Sequence, residues 1–515
     1  MPIPSISGTA SDARPLRPAA ASHAAEACPD ASPPDALHPL LALLTRLHCY
    51  VGVFVGPFML VAALSGVFYA LTPQLERLIY ARALYTDSRG PALSLDRQIA
   101  AAQAEAGAAA HLVAVRPATA GSNTRVMFSR PDLRPSESRA VFVDAATGAI
   151  RGDLIVYGTA GVLPLRGWID QFHRGLLLGD VGRLYSELAA SWLWIAAVGG
   201  LVLWWARRRR PGRPSGLRRR HATLGLCLCA GLLFFSATGL TWSQWAGANI
   251  GVLRAALRWS TPTVSTLLPA PVPMPARAPS PPAAVPLPDM PDMPDMPDMP
   301  DIHSGTAVAK PALDASLFEP VLAAARRAGV GSDQVEIRPP VSADRAWTVT
   351  EIDRRWPTHV DAVAVDPRTL AVLDTSRFAD YPLAAKLTRW GIDAHMGTLF
   401  GLANQLLLAA FGVGLAVMVI WGYRMAWRRR RVRGVRGAFA AVLPDGMPDP
   451  VPHRRAPGPL GTFRRLSWRV RMAVATTAVV VGYALPTLGV SVLCFIACDV
   501  VMHARGRAAV PRLRG

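Results

Sequence analysis

His48-Cys-Tyr-Val-Gly52 and His221-Ala-Thr-Leu-Gly225 open two separate apolar runs, and each run reaches a further glycine, Gly66 or Gly239, eighteen residues after its histidine. A second pair of stretches matches in the same way. His173-Arg-Gly175-Leu-Leu-Leu-Gly179 leads to Gly200 and Trp205, and His395-Met-Gly397-Thr-Leu-Phe-Gly401 leads to Gly422 and Trp427, at the same offsets of 2, 6, 27 and 32 residues. Such matching points to a duplicated unit that keeps a histidine at four equivalent places. The runs near Leu47–Leu71, Leu188–Trp205, Thr223–Trp242 and Thr398–Tyr423 can each cross a hydrocarbon core, which takes roughly 20 residues. An ionisable group kept at the edge of such a run is costly, and by default functional.

Composition agrees with a membrane protein. Hydrophobic residues make up 51% of the 515 and charged residues only 17%. The net charge of +20 is nearly all arginine, since Lys310 and Lys386 are the only lysines. Arg207–Arg210, Arg213 and Arg218–Arg220 fill one short loop, and Arg428–Arg431, Arg433 and Arg436 begin another. Basic loops of this kind lie on the cytoplasmic side of a membrane, so the charge does not read as a nucleic-acid surface and no nucleic-acid partner is expected. Cys28, Cys49, Cys227, Cys229, Cys494 and Cys498 all lie outside the two large external segments, which argues against a disulfide framework. Residues 1–37 show no short apolar core before a cleavage site, so the first span reads as an uncleaved anchor.

The basic loops set the path of the chain. A disordered tail over 1–39 leads to a first span at 40–72 and an external α+β domain at 73–165. A membrane-edge segment and second span (166–206), an arginine loop (207–220) and a third span (221–243) follow. A second external α+β domain occupies 244–385, interrupted by a Pro-rich linker at 260–312 in which Pro-Asp-Met repeats. The linker reads as an expanded spacer; copper scavenging by its Met, Asp and His is the rival reading. Another membrane-edge segment and fourth span (386–425), a basic loop (426–469), a helical hairpin (470–502) and a basic tail (503–515) complete the chain. The hairpin is expected because Met472–Val501 would be about 45 Å long as one helix, with Pro486 and Gly489 in its middle. The fold class is therefore a mainly α-helical polytopic membrane protein: two parallel repeats, each a pair of spans plus an external α+β domain, with a C-terminal transmembrane hairpin.

The external domains repeat too. Ser94–Ala106 reads as an amphipathic helix, and Leu112–Pro117, Arg125–Phe128 and Ala140–Asp144 as strands, with Ala149–Arg151 pairing back after the turn Asp144-Ala-Ala-Thr-Gly148. In the second domain Leu317–Ala328 is the helix, and Gln334–Ile337, Ala346–Thr350 and Asp361–Asp366 are the strands. Asp144 and Asp366 each precede a histidine, His173 or His395, by 29 residues; both read as turn residues rather than catalytic acids. Trp168, Trp390, Trp205 and Trp427 suit an interfacial aromatic belt.

On this path His48 and His221 lie near the cytoplasmic face, and His173 and His395 near the external face. Each pair can supply two axial imidazoles to one iron, which predicts one b-type haem per face and two haem b in all. Gly52 and Gly225, one turn from their histidines, and Gly175 and Gly397 beside theirs, would leave room for a flat macrocycle. The competing reading is a set of histidines in headgroup water on closely packed glycine-rich helices. No phosphate loop, dinucleotide fingerprint, HExxH or nucleophile elbow is present, so a hydrolase or an ATP-driven pump lacks its motif.

Arg46-Leu-His48 with its glycine-rich span, Phe172-His173-Arg-Gly-Leu-Leu-Leu-Gly179 and His395-Met-Gly-Thr-Leu-Phe-Gly-Leu-Ala-Asn-Gln405 resemble the PepSY-associated transmembrane family, often called iron-regulated inner-membrane proteins. The similarity covers most of residues 40–502. The external units look like PepSY domains, the second departing from the pattern by lacking the turn glycine. The resemblance implies a multi-pass protein of the bacterial inner membrane, with both termini cytoplasmic and the PepSY units periplasmic. It also implies a haem-bearing reductase of the siderophore-reductase kind, passing electrons to a ferric chelate. Some relatives carry a fused flavin reductase; here the donor is expected to be separate, a quinol or a cytoplasmic reductase. Two other readings stand beside it: a non-enzymatic scaffold that binds a periplasmic protein, and a permease component for iron or a siderophore.

Overall fold

The computed structural model describes residues 37–208, 216–269, 313–440 and 459–508. Two consecutive helices, α1 (Leu37–Phe54) and α2 (Gly56–Ile79), occupy the place where a single first span over 40–72 is expected. The break falls at Val55 because Pro57 has no amide to donate to the carbonyl of Val53. A short turn, α3 (Ala81–Leu84), then leads into the first half of the sheet domain: α4 (Leu95–Ala106) and strands β1 (His111–Arg116), β2 (Thr124–Ser129), β3 (Glu137–Val143) and β4 (Ile150–Tyr157). Next come α5 (Pro164–Gly175), α6 (Gly179–Arg208), α7 (Gly216–Thr241) and α8 (Trp245–Ala256). The second half of the sheet domain follows as α9 (Phe318–Arg327), β5 (Val335–Arg338), β6 (Trp347–Glu351), β7 (Ala362–Val365) and β8 (Val372–Ser376). The chain closes with α10 (Leu383–His395), α11 (Leu402–Ala440), α12 (Pro459–Phe463), α13 (Trp468–Ala484) and α14 (Pro486–Ala508).

Among the described residues four helices are long and apolar enough to cross a membrane: Gly56–Ile79, Gly179–Arg208, Gly216–Thr241 and Leu402–Arg428. They pack around Val51, Val55, Met59, Trp192, Leu193, Leu228 and Leu232, with Leu488 of α14 joining them. α13 and α14 form the expected hairpin: the helix breaks at Leu485 before Pro486, and the backbones of Gly482 and Gly489 touch. Trp192 donates its indole N–H to Ser491 Oγ at 2.8 Å, tying the hairpin to α6. α11 runs past the expected end of the fourth span at 425, because arginine is a good helix former and the helix continues through that basic stretch.

The two α+β units do not form separate sheets. Their strands make one antiparallel eight-stranded sheet in the order β4-β3-β2-β1-β5-β6-β7-β8. β1 and β5 meet at the centre through Val115 and Ile337. Helices α4 and α9 pack on one face over a shared core that includes Ile99, Ala102, Phe128, Phe318, Val321 and Trp347. Seven of the strands coincide with expected ones; β8 was not expected, because its run Val-Leu-Asp-Thr-Ser is only half apolar. The seam carries an ion cluster: Arg116 of β1 reaches Glu336 of β5 at 2.5 Å, and Arg338 reaches the same carboxylate at 2.5 Å.

The two hairpin turns close alike. Asp144 accepts the amide of Gly148 at 2.8 Å, and Asp366 that of Leu370 at 2.9 Å, through their backbone carbonyls. Gly148 adopts φ 74 and Leu370 takes the same left-handed conformation at φ 56. The missing turn glycine is thus replaced by a strained leucine that packs against the core.

Candidate functional site

All four histidines at matched offsets lie within the helical bundle, in two layers. His48 sits on α1 and His221 on the second turn of α7. Their ring centres are 6.5 Å apart with planes inclined by 81°. The His48 ring lies against Gly200 of α6, where an added methyl group would stand 3.3 Å from Cε1. The carbonyl of Ala196, one turn before Gly200, faces His48, and that of Met418, one turn before Gly422, faces His221. Neither completes a hydrogen bond: Nδ1 of both rings is buried without a partner.

The second layer is built at the ends of two short helices. His173 lies in the last turn of α5 and His395 closes α10. Each helix runs into a tight left-handed turn, through Leu176, Leu177 and Gly179 in one case and Gly397, Phe400 and Gly401 in the other, and so into a long span. His173 packs on Gly66 of α2, where a methyl group would stand 3.3 Å from its Cε1. Nδ1 of His173 is 2.8 Å from Ser65 Oγ, and Nδ1 of His395 is 2.7 Å from Thr238 Oγ1. Trp242 and Phe235 place their edges against the His395 ring at 5.3 and 5.5 Å. On α7, His221 of one layer and Thr238 beside the other are 17 residues apart, about 26 Å along a helix, so the layers sit close to opposite edges of a hydrocarbon core of ~30 Å.

The glycines divide. Gly52 faces open space, and Gly225 lies against Met418. Gly175 and Gly397 do not open room beside the histidines as expected: Gly175 is pressed on the backbone of Gly182, and Gly397 on Leu408, Gln405 and Ala70. Their work is to let the α5–α6 and α10–α11 turns close. The glycines that do admit the rings are Gly66 and Gly200, which belong to the matched offsets. Ser65 and Thr238 were missed as well, although they stand immediately before Gly66 and Gly239 and share the spacing that relates His48 to His221.

Outside this layer the β6–β7 loop leans on the α10–α11 turn. Phe400 donates its amide to the Arg355 carbonyl at 3.1 Å, and Trp390 its indole N–H to the Pro357 carbonyl at 3.0 Å. Between them an open cleft of about 490 Å³ is lined by Asp353, Arg355, Trp356, His359, Phe400 and Gly401. Arg354 links the cleft to the histidine layer, with Met396 Sδ at 4.0 Å and Asp393 at 3.8 Å. Asp144 and Asp366 serve as turn formers: Asp144 accepts the amides of Ala146 and Thr147, and Asp366 that of Arg368. Among the described residues there is no cluster of three or more His, Cys, Asp or Glu able to hold a metal ion. The Pro-Asp-Met repeats lie outside the described residues, while the start of the expected linker, 260–269, is described and runs against the β5–β6 turn, Ala346 donating its amide to the Thr266 carbonyl at 2.7 Å.

Spans, a histidine-bearing bundle and an external antiparallel sheet define a multi-pass membrane protein with a PepSY-type domain. The family pattern of the PepSY-associated TM region matches residues 45–430, and the chain belongs to that family. No curated protein matches the chain.

Proposed function

We propose that the chain is a transmembrane electron carrier of the bacterial inner membrane. In this reading it holds two b-type haems, one between His48 and His221 and one between His173 and His395, and reduces a ferric chelate on the periplasmic side. The observation that carries the reading is the His48–His221 pair. Their ring centres stand 6.5 Å apart, so the two imidazoles would hold one such group between them. The two rings come from different helices, and their Nδ1 atoms are turned into the protein, facing backbone carbonyls. The reading of the sequence as two parallel repeats fits the mirrored strand order, because each repeat then contributes one imidazole to each layer.

Haem iron, cycling between its ferric and ferrous states, would supply the one-electron chemistry. The chain's own residues insulate and orient. Val51, Val55, Trp192 and Leu232 keep water from the space between the layers. Phe235 and Trp242 wall the outer ring, and Arg354 and Arg389 hold the buried Asp393 at its edge. The cleft beside Phe400 offers two aromatic faces within reach of that layer, with Arg355 ion-paired to Asp353 beside them, and is the docking place this reading gives the chelate. Chelators built of hard oxygen donors hold ferric iron far better than ferrous, so reduction releases the metal. By the arginine loops both termini are cytoplasmic, and electrons enter near His48 and His221 from a quinol or a separate reductase.

Haem quantification and reduced-minus-oxidised spectra of the purified chain test this. Sharp b-type bands at two haems per chain are expected, with about half lost in each of His48→Ala, His221→Ala, His173→Ala and His395→Ala. A haem-replete preparation without such bands sinks the reading and returns the protein to a scaffold or a permease component.

A further inference from the structure

Two hydroxyl groups stand against the outer imidazoles in the same way. Ser65 Oγ lies 2.8 Å from His173 Nδ1, and 2.7 Å from the Val61 carbonyl one turn back. Thr238 Oγ1 repeats the arrangement, 2.7 Å from His395 Nδ1 and 2.8 Å from the Phe234 carbonyl. A hydroxyl has one proton, and a carbonyl can only accept. Donation to the carbonyl one turn back is the ordinary habit of Ser and Thr within a helix. The proton thus goes to the carbonyl, the hydroxyl oxygen presents lone pairs to the ring, and only Nδ1–H can complete the second bond. Nε2 then carries the lone pair.

We propose that Ser65 and Thr238 are a matched pair of positioning residues that hold His173 and His395 in the Nδ1–H tautomer, so that Nε2 is the nitrogen offered to a ligand. The inner layer is built differently. His48 and His221 face carbonyls without completing a bond, and their Nδ1 atoms are buried without partners. The lock therefore belongs to the outer layer alone, although α7 carries residues of both layers. Its consequence for redox chemistry rests on the reading of these histidines as haem ligands; the tautomer itself does not. A merely structural role, in which the hydroxyl bonds its helix but not the ring, would leave the rings free to choose either tautomer.

The test uses the full chain labelled with nitrogen-15 at histidine, purified without haem, and compares Ser65→Ala and Thr238→Val with Ser65→Thr and Thr238→Ser. The wild-type chain should show two histidines fixed with Nδ1 protonated. Each of the first two variants should convert one of them to a mixture of tautomers, and the hydroxyl-retaining variants should not. Unchanged tautomer signals in Ser65→Ala and Thr238→Val overturn the proposal, whether or not the protein binds haem. In haem-loaded protein the same two variants should shift one of two reduction midpoints upward, because an imidazole that no longer donates through Nδ1 is a poorer donor to ferric iron. Equal shifts of both midpoints, or of neither, also count against it. A chain that takes up no haem while its tautomers behave as stated counts against the proposed function alone.

Discussion

Tyr423 of α11 donates its hydroxyl hydrogen to the carbonyl of Val53, the carbonyl that Pro57 leaves without an amide partner at the break between α1 and α2. The bond closes a vacancy in the helix ladder at a depth where water is scarce. Tyr423→Phe should lower stability by about 1–3 kcal/mol, the usual cost of an orphaned acceptor. Pro57→Ala supplies a backbone N–H and should make the same change nearly neutral. Thermal unfolding of the four members of this cycle in detergent checks it; equal losses in both backgrounds would show that the tyrosine contributes by packing alone.

The α5–α6 turn sets where His173 stands, and it closes only because two glycines touch. A Cβ at Gly182 would overlap the carbonyl of Gly175, a backbone atom with no freedom to move aside. Gly182→Ala should therefore cost more than about 3 kcal/mol or prevent folding. Gly52, which meets nothing within 4 Å, should accept alanine without loss. Yield and melting temperature of the two variants decide the matter, and a well-folded Gly182→Ala chain would contradict this account of the turn.

How much could be read in advance follows from which forces act locally. The long spans declare themselves through unbroken apolar length, and seven strands through turn residues and β-branched runs. The four histidines were legible because repetition supplies a second copy against which to judge each one. Fusion of the two α+β units was not legible: one central pairing, Val115 with Ile337, joins residues more than 200 positions apart, and nothing local marks it. Ser65 and Thr238 were within reach of the same spacing, yet a hydroxyl in a span looks like ordinary back-bonding until a ring is found against it. The cleft beside Phe400 arises where a sheet loop meets a helix turn, so no single stretch encodes it.

Acid should loosen the sheet at its seam. Burial works to raise the Glu336 carboxyl, but Arg116 and then Arg338 outweigh it and hold the group below the usual glutamate range. A carboxylate whose pKa is depressed by folding stabilises the fold fully above its unfolded value, and that contribution is lost as pH falls through the folded value. Melting temperature should therefore decline below about pH 4.3, the ordinary glutamate value. Glu336→Gln should be less stable at pH 7 by about 3 kcal/mol, because it leaves Arg116 without its buried partner, and it should show a shallower acid decline. An identical pH slope in the variant would assign the acid sensitivity elsewhere.

The cleft makes a kinetic prediction if it is where the acceptor docks. Trp356 and Phe400 expose about half of their surface, 54% and 59%, where they line the cleft, Trp356 beside the His359 ring. Contacts of that kind bind the acceptor equally before and during electron transfer, so they should govern KM and leave kcat nearly unchanged. Oxidation of the pre-reduced, haem-loaded chain by a ferric chelate of hard oxygen donors should saturate with chelate concentration. Trp356→Ala and Phe400→Ala should each raise KM by roughly 5- to 30-fold, corresponding to the ~1–2 kcal/mol of an aromatic or cation–π contact. Replacement of His395 should instead abolish the rate at every concentration, since the proposed function puts that residue on the electron path and not on the docking surface. Wild-type saturation in both cleft variants would place the acceptor elsewhere on the protein, with the histidine layers untouched by that result.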